Sequence, residues 1–240
     1  MKILALILAR GGSERLPGKN IINLGGHPLI AYTLQATKKS KYINRIIVST
    51  DDAQIAAVAK KYGAEVPFFR PKEISKGDST ELQAFEHALR WLKDNENYAP
   101  DLIVKLFPTS PFRTVEAIDK AIELMIANPN ADSVRSVRLC TEHPYKMWRI
   151  ENDRLCPFVP FNQKPKDAHT FSYQILPKVY VNNASMDVTK PSNILEKKSV
   201  TGENIIPFVM DEIESIDIND KWDLVLAEEI IKKGLNKNLF

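Results

Sequence analysis

Basic residues and glycines are concentrated in one short segment near the amino terminus. Arg10, Arg15 and Lys19 fall within ten positions, and three glycines lie among them. Guanidinium and ammonium groups bind phosphate oxygens, and glycines let backbone N–H groups approach a bound anion closely. The segment is therefore predicted to bind a polyphosphate, such as that of a nucleoside triphosphate.

The position of this segment supports the same prediction. It follows an apolar run at residues 3 to 9 that is typical of a strand buried on both faces. Open parallel sheets bind ligands at the carboxyl ends of their strands. The spacing fits neither the common phosphate-binding loop, because Ser13 stands where that pattern has a glycine, nor the three-glycine dinucleotide pattern. The alternative is a solvated connector with turn-forming glycines, and the three cations favour the phosphate site.

The elements that position this segment alternate between strand and helix patterns, which predicts an α/β fold: a three-layer, mostly parallel sheet with helices on both faces. Residues 141 to 178 break the alternation with prolines and aromatics, and they are predicted to form an arm inserted into a single domain of residues 1–240. The predicted strands cover residues 3–9, 45–50, 101–106, 132–139, 179–181 and 213–218, and the predicted helices cover residues 27–39, 52–62, 80–95, 114–128 and 220–233.

Composition excludes several classes of protein. A chain of 240 residues that is 44% hydrophobic can bury a substantial core. A net charge of +3 is too balanced for a nucleic-acid binder. No apolar run approaches the roughly 20 residues that span a bilayer. Two cysteines without paired spacing argue against zinc and disulfides, so we expect a cytoplasmic protein with no membrane or nucleic-acid partner.

Three further segments carry polar groups at the predicted strand ends. Arg70 offers a planar fork of donors, and Thr80 either contacts a ligand or caps the helix that follows it. Thr109 and Ser110 lie between two prolines just after a predicted strand, which directs their hydroxyls toward the crevice unless they only form a turn. The remaining segment begins at Asp217.

Asp217 and Asn219 alternate at the end of the predicted strand 213–218, so their side chains are expected on one face. Two oxygens there can bind one hard cation such as Mg²⁺. The alternative is that Asn219 and Asp220 only cap the last helix.

Residues 7–20 resemble the amino-terminal signature of the acylneuraminate cytidylyltransferases, in which Ala-Arg is followed by a spaced Ser, an apolar-Pro pair and Lys-Asn. The resemblance implies a Rossmann-like nucleotidyltransferase fold with Arg10 and Lys19 on the triphosphate. The nucleotide-binding residues that it implies are Ala9, Arg10, Gly11, Ser13, Lys19, Asn20, Arg70 and Thr80.

Four other stretches extend the resemblance. Residues 69–74, followed by residues 78–80, are similar to the family's Arg-Pro-x-Glu-Leu segment and the Asp-Ser/Thr turn after it. Residues 108–113 are similar to the family's Gln-Pro-Thr-Ser-Pro-Leu-Arg motif, with Phe107 in place of the glutamine that contacts the sugar. Asn183 replaces the glycine of an Asn-Gly-Ala stretch, and Asn219 replaces the second aspartate of an Asp-Ile-Asp pattern that begins at Asp217. The sugar-binding residues that the resemblance implies are Phe107, Thr109, Ser110, Arg113 and Asn183.

The resemblance implies that the chain makes a CMP-sugar and pyrophosphate from CTP and a nine-carbon acidic sugar of the sialic, legionaminic or pseudaminic type. Arg10, Lys19 and Asp217 would be catalytic, Asp217 and Asn219 would bind Mg²⁺, and the arm would support a homodimer and contact the acceptor sugar. Two alternatives stay open: an eight-carbon 3-deoxy keto acid as acceptor, because of Phe107 and Asn183, and an inactive nucleotide-binding homologue, because of Asn219.

Overall fold

A six-stranded sheet forms the centre of the computed structural model, which describes residues 1–236. The strand order is β10-β6-β9-β5-β1-β4, with β1 parallel to both β4 and β5, β10 parallel to β6, and β9 antiparallel to β5. The strands of this sheet are β1 (Ile3–Leu8), β4 (Arg45–Ser49), β5 (Leu102–Leu106), β6 (Ser133–Leu139), β9 (Tyr180–Thr189) and β10 (Ile205–Val209). Two short antiparallel pairs are β2 (Asn23–Leu24) with β3 (His27–Pro28), and β7 (Trp148–Glu151) with β8 (Arg154–Pro157).

Helices cover both faces of the sheet because the central strands are apolar on both faces. Odd-numbered residues of β1 pack in one core cluster with α1, α2 and α4, and Leu4 and Leu6 pack in another with α3 and α5. The predicted three-layer α/β fold is thereby confirmed. The helices are α1 (Leu29–Lys39), α2 (Ala53–Lys61), α3 (Glu81–Glu96), α4 (Val115–Ala127), α5 (Pro191–Leu195) and α6 (Lys221–Lys232). No helix of residues 1–236 has the length and apolar character needed to cross a bilayer.

Side-chain caps fix where the helices near the site begin. Asp52 caps α2 by accepting from two backbone N–H groups. Thr80 and Gln83 form a capping box at α3, and Asp220 and Asp223 form one at α6. Each cap holds its helix start at the carboxyl edge of the sheet or beside it, where the functional segments also lie.

The prediction of a strand at residues 213–218 is wrong. Those residues form turns, in which the Ser215 N–H donates to the Asp211 carbonyl and the Ile216 N–H donates to the Ile213 carbonyl. Their alternating apolar side chains pack in a third cluster against α6 and Phe112 rather than in the sheet. The edge strand is instead β10, whose internal Pro207 is tolerated at an edge but argues against a strand in the sequence. Helix α5 was not predicted, and β9 is longer than predicted.

The chain divides into two compact units: residues 1–137 with 183–236, and residues 138–182. The second unit contains the β7–β8 hairpin and short 3₁₀ turns at Pro144–Lys146, Phe161–Gln163, Ala168–Thr170 and Tyr173–Ile175. It is a few residues wider at each end than the predicted arm of residues 141–178.

Candidate functional site

The loop after β1 is shaped by contacts to its own backbone and to the loop after β4. The buried Asn20 side chain donates to the carbonyl of Arg10 at 2.8 Å, which closes the loop on itself. The Gly11 N–H donates to Asp51 at 2.9 Å. A Cβ at Gly11 would lie 2.8 Å from an Asp52 carboxylate oxygen, so the close approach requires glycine. Ala9 continues the β1–β4 pairing through a 3.0 Å bond to Ser49.

Arg10 links this loop to the segment before α3. Its guanidinium donates to the carbonyl of Lys76 at 2.5 Å. Gly77 lies beside this contact, because a Cβ there would lie 3.0 Å from the Glu14 carboxylate and 3.8 Å from the Arg10 guanidinium. The loop after β1 and the 76–80 segment therefore form two walls of one site. Ser13 is partly exposed on the first wall.

Lys19 is joined to the loop before α6. Its ammonium donates to the side-chain oxygen of Asn219 at 3.3 Å, and the Asn219 side-chain nitrogen donates to Asp217 at 2.7 Å. Burial lowers the pKa of Lys19, and the nearby Asp217 carboxylate opposes that shift. Residues from the first and last parts of the chain thus meet at one charged centre, which contains Lys19, Asp217 and Asn219.

The oxygen donors of this centre suit a hard cation. The second carboxylate oxygen of Asp217 is buried and has no hydrogen-bond partner in the described part of the chain. Mg²⁺ is commonly held by one or two protein carboxylates together with phosphate oxygens and waters. Residues 1–236 contain no cluster of three or more His, Cys, Asp or Glu side chains placed to hold a metal. The Asn219 oxygen faces Lys19, so Asp217 is the better of the two predicted ligands.

A cavity of about 260 Å³ opens between the two walls. Its polar side chains are mostly basic, and Phe107 and Leu106 from the end of β5 contribute apolar surface. The loop after β1, the 70–81 segment and the end of β5 together enclose it. The lining residues are Leu8, Arg10, Arg70, Ile74, Lys76, Gly77, Ser79, Thr80, Glu81, Ala84, Lys105, Leu106 and Phe107.

Arg70 and Thr80, both predicted to bind the nucleotide, line this cavity, and each also has a structural role. The buried Arg70 guanidinium donates to the carbonyl and the hydroxyl of Ser49, so it ties the 70s segment to the end of β4. The Thr80 hydroxyl caps α3 by accepting from the Gln83 N–H at 3.4 Å. Both alternatives considered for Thr80, helix cap and site residue, are therefore compatible with its place in the structure.

Four of the five predicted sugar-binding residues are buried with protein partners. Arg113 is 1% exposed and donates to Ser185, Thr33 and Phe107. Burial lowers the pKa of Arg113, and Glu214 and Asp217 oppose that shift. The Ser110 hydroxyl donates to the Ala184 carbonyl, and the Thr109 carbonyl accepts from the Ile218 N–H. The side-chain amide of Asn183 contacts Ser136, Ser215 and Met210.

Phe107 is the predicted sugar-binding residue that reaches the cavity. The buried Arg113 instead braces α1, the end of β5 and β9 from within the core. The Asn183 side chain similarly joins β6, β9 and the loop before α6. The motif at residues 108–113 and Asn183 therefore shape the crevice from behind, and a direct contact between these buried groups and a ligand would need them to exchange partners.

Sequence reasoning missed a line of charge across the sheet. Arg135 on β6 donates twice to Asp187 on β9, each time at 3.0 Å, and Lys105 on β5 donates to Asp187 at 3.1 Å and to Glu81 at 2.6 Å. We call these four residues the charged row. Lys105 and Asp187 are only 3% and 2% exposed. The sequence did carry one signal for this row, which is Lys105 inside the apolar strand 102–106. Its partner, Asp187, lies 82 residues away along the chain and could not be identified from the sequence.

Comparison with known proteins places the chain in a family. Residues 4–200 match the family model described as cytidylyltransferase. The chain belongs to the cytidylyltransferase family. It is 36% identical to the CMP-N,N'-diacetyllegionaminic acid synthase of Legionella pneumophila, over 97% of each chain. It is 30% identical to a pseudaminic acid cytidylyltransferase of Campylobacter jejuni, again over 97% of each.

The fold of this cytidylyltransferase also resembles that of a CMP:2-keto-3-deoxy-manno-octonic acid synthetase solved with CTP. The TM-score is 0.68 at 14% identity, covering 98% of this chain and all of the other. At that identity the likeness concerns the fold alone. The predicted family and fold are confirmed, and membership makes this chain a nucleotidyltransferase.

Proposed function

We propose that this cytidylyltransferase transfers cytidine monophosphate from CTP to a nine-carbon α-keto acid of the sialic, legionaminic or pseudaminic type and releases pyrophosphate. The names of the full-length relatives support the acceptor class. The observation that carries the proposal is the meeting of Lys19 and Asp217, through Asn219, together with Arg10, which lines the cavity and lies close enough to Lys19 to lower its pKa. This arrangement supports a role for Lys19 as a cation for the triphosphate and for Asp217 as a carboxylate for its metal ion.

The reaction forms a bond between the anomeric oxygen of the sugar and the α-phosphorus while the bond to pyrophosphate breaks. Such transfers depend mainly on alignment of the reacting groups and on compensation of negative charge. Arg10 and Lys19 would hold the β- and γ-phosphates, and the charge they supply would stabilise the departing pyrophosphate. The anomeric hydroxyl proton passes to solvent or to a base that we do not assign.

Mg²⁺ is the metal that we propose for this site. The buried, unpartnered oxygen of Asp217 supports it, and Asn219 would orient Asp217 rather than bind the metal through its own oxygen. When bound, the ion supplies Lewis-acid polarisation of the phosphate oxygens. Lys19 would remain available to the phosphates because its protein partner is a neutral amide.

A homodimer is the assembly that we propose. On the β7–β8 hairpin, Ile150 and Leu155 form a cross-strand pair and are 78% and 66% exposed. Exposed apolar pairs of this kind are typical of protein interfaces when they belong to a larger patch. The exposed Phe158 and Phe161 lie in the same unit. We also propose a cytoplasmic location, since Cys140 and Cys156 are both free thiols.

The hairpin can be tested separately from the chemistry. Replacing Ile150 and Leu155 with glutamate should convert the dimer to a monomer in light scattering. Arg149, on the opposite face of the same hairpin, gives the matched control Arg149→Gln, which should stay dimeric. A wild-type protein that is monomeric at all concentrations would contradict the proposed assembly.

The activity is tested by pyrophosphate release from CTP with a panel of acceptors, with and without a chelator. The panel contains sialic, legionaminic, pseudaminic and eight-carbon 3-deoxy keto acids. Chelator-sensitive release with a nine-carbon acid would support the proposal and name the acceptor. Release with the eight-carbon acid alone would overturn the acceptor class. Binding of CTP without release from any acid would favour a nucleotide-binding protein without activity.

A further inference from the structure

Burying the side chains of the charged row costs free energy, because charged groups lose their hydration. Moving an ion pair out of water costs several kcal/mol per ion, and apolar replacements of similar size are often equally stable. Within the row the charges balance, two positive and two negative, and each has a partner within 3.1 Å. Buried charged side chains are concentrated at functional sites, where their role in binding or catalysis offsets the free-energy cost of burying them. Two members of the row, Glu81 and Lys105, line the cavity.

Among residues 1–236, Glu81 is the one acidic side chain that lines the cavity, and the other charged residues of its lining are Arg10, Arg70, Lys76 and Lys105. A carboxylate repels phosphate, so it would face an uncharged part of the nucleotide that offers hydrogen-bond donors. Cytosine offers an exocyclic amine at N4, whereas uracil has a carbonyl oxygen at that position. A carboxylate accepts from the amine and repels the carbonyl lone pairs.

Lys105 fixes both the carboxylate and the aromatic wall of the cavity. Its ammonium donates to Glu81 at 2.6 Å and lies 4.4 Å from the centre of the Phe107 ring. Asp187 holds the ammonium from the other side at 3.1 Å. Two of the three donors of the ammonium are thereby used by carboxylates, and the ammonium also lies against the Phe107 ring. Lys105 is therefore a positioning residue: it directs Glu81 and presents the Phe107 ring as a surface on which a base can stack.

We propose that Glu81 selects cytosine over uracil by accepting a hydrogen bond from the exocyclic amine of the base, with Lys105 holding it in place. The inference rests on the proposed function, since it assumes that the cavity takes the nucleoside of CTP. Glu81 is the first residue of α3 and its side chain is 44% exposed, so its substitution leaves the fold intact. Glu81 can therefore be tested directly.

The test is calorimetric titration with CTP and with UTP, which needs no acceptor sugar. We expect the wild type to bind CTP more tightly than UTP. In Glu81→Gln that preference should fall by about tenfold, because an amide can also donate to the carbonyl of uracil. The matched control is Glu86→Gln, five residues further along α3, where the carboxylate pairs with Lys198 at 2.6 Å and does not line the cavity. It should keep the wild-type preference.

Two results would overturn the inference while leaving the proposed function in place. One is an unchanged preference for CTP in Glu81→Gln. The other is an equal loss of affinity for CTP and UTP, which would assign Glu81 to the ribose hydroxyls that both nucleotides share. A wild type that binds neither nucleotide would instead overturn the proposed function and the inference together. Thermal unfolding of each variant confirms that a change in binding is not a loss of fold.

Discussion

The side-chain oxygen of Asn219 lies 3.3 Å from the ammonium nitrogen of Lys19, although the two residues are 200 positions apart. The nitrogen of the same amide donates to Asp217 at 2.7 Å. The neutral amide of Asn219 thus joins the Lys19 ammonium to the Asp217 carboxylate. The side chain in contact with the ammonium carries no charge, so it does not neutralise the positive charge of Lys19. This charge is then available to a phosphate.

Asn219→Asp should weaken CTP binding in the presence of a chelator by about tenfold, because a carboxylate beside Lys19 competes with phosphate for the ammonium. With Mg²⁺ the difference should shrink, since a second carboxylate favours a hard cation. Calorimetry with and without chelator measures both effects. Asn219→Ala removes the two hydrogen bonds without adding charge and serves as the control. Wild-type affinity of Asn219→Asp in chelator would contradict the prediction.

Lys19→Met should lower kcat for pyrophosphate release by about a hundredfold, the usual loss when one preorganised charge-stabilising group is removed. Initial rates at saturating CTP and acceptor give the number. Lys232→Met, at the exposed end of α6, is the matched control and should keep wild-type turnover. If Lys19→Met changed only the KM for CTP, Lys19 would bind substrate and transition state equally and would not be catalytic.

Arg113→Met should destabilise the fold by about 3 kcal/mol, because it removes a buried charged donor from Ser185, Thr33 and Phe107, although the Ser185 and Phe107 carbonyls keep other donors. Urea unfolding followed by circular dichroism measures the loss. Arg113→Lys should recover part of it, since the lysine keeps the charge but not the fork. If Arg113→Met were as stable as the wild type but had a raised KM for the acceptor sugar, Arg113 would instead be assigned to the sugar-binding site.

Acid stability should depend on Asp132. Its carboxylate accepts from Lys197 and from the backbone N–H groups of Glu203 and Asn204, which lowers the pKa of Asp132. A lowered pKa in the folded state contributes stability that is present above the unfolded value near 3.9 and is lost as pH falls below it. The wild type should therefore lose more stability than Asp132→Asn between pH 7 and pH 3. Urea midpoints at several pH values give the comparison, and parallel curves would contradict it.

The sequence predicts the first half of the fold well because its signals are local. The apolar run of β1, the Asp52 cap of α2 and the capping box at Thr80 each act within a few residues, and the structure has each of them. The alternation at residues 213–218 failed because its apolar side chains face a helix cluster rather than a sheet. Periodicity records which side of a segment is buried and does not identify the element that buries it.

For the site, too, local sequence signals are predictive and contacts between distant residues are not. Arg10, Lys19 and Asp217 carry charge in motifs, and the structure brings them to one region. Arg113 and Asn183 belong to similar motifs, yet they are enclosed by protein, because polar side chains at strand ends serve the backbone as readily as a ligand. The charged row escaped prediction because Lys105 and Asp187 meet through strand register between β5 and β9, which depends on the assembled sheet.

That register constrains how the chain can change. Lys105 and Asp187 are directly opposed across two strands, and replacing either one alone removes one of the two charged partners of the other, which is buried. Arg135 and Glu81, at the two ends, are partly open to water and can be solvated alone. Positions 105 and 187 should therefore be mutated in pairs in any library aimed at altered nucleotide use, because single-site scans leave the charges of the row unbalanced and miss combinations in which both are replaced. In natural sequences the two positions should covary.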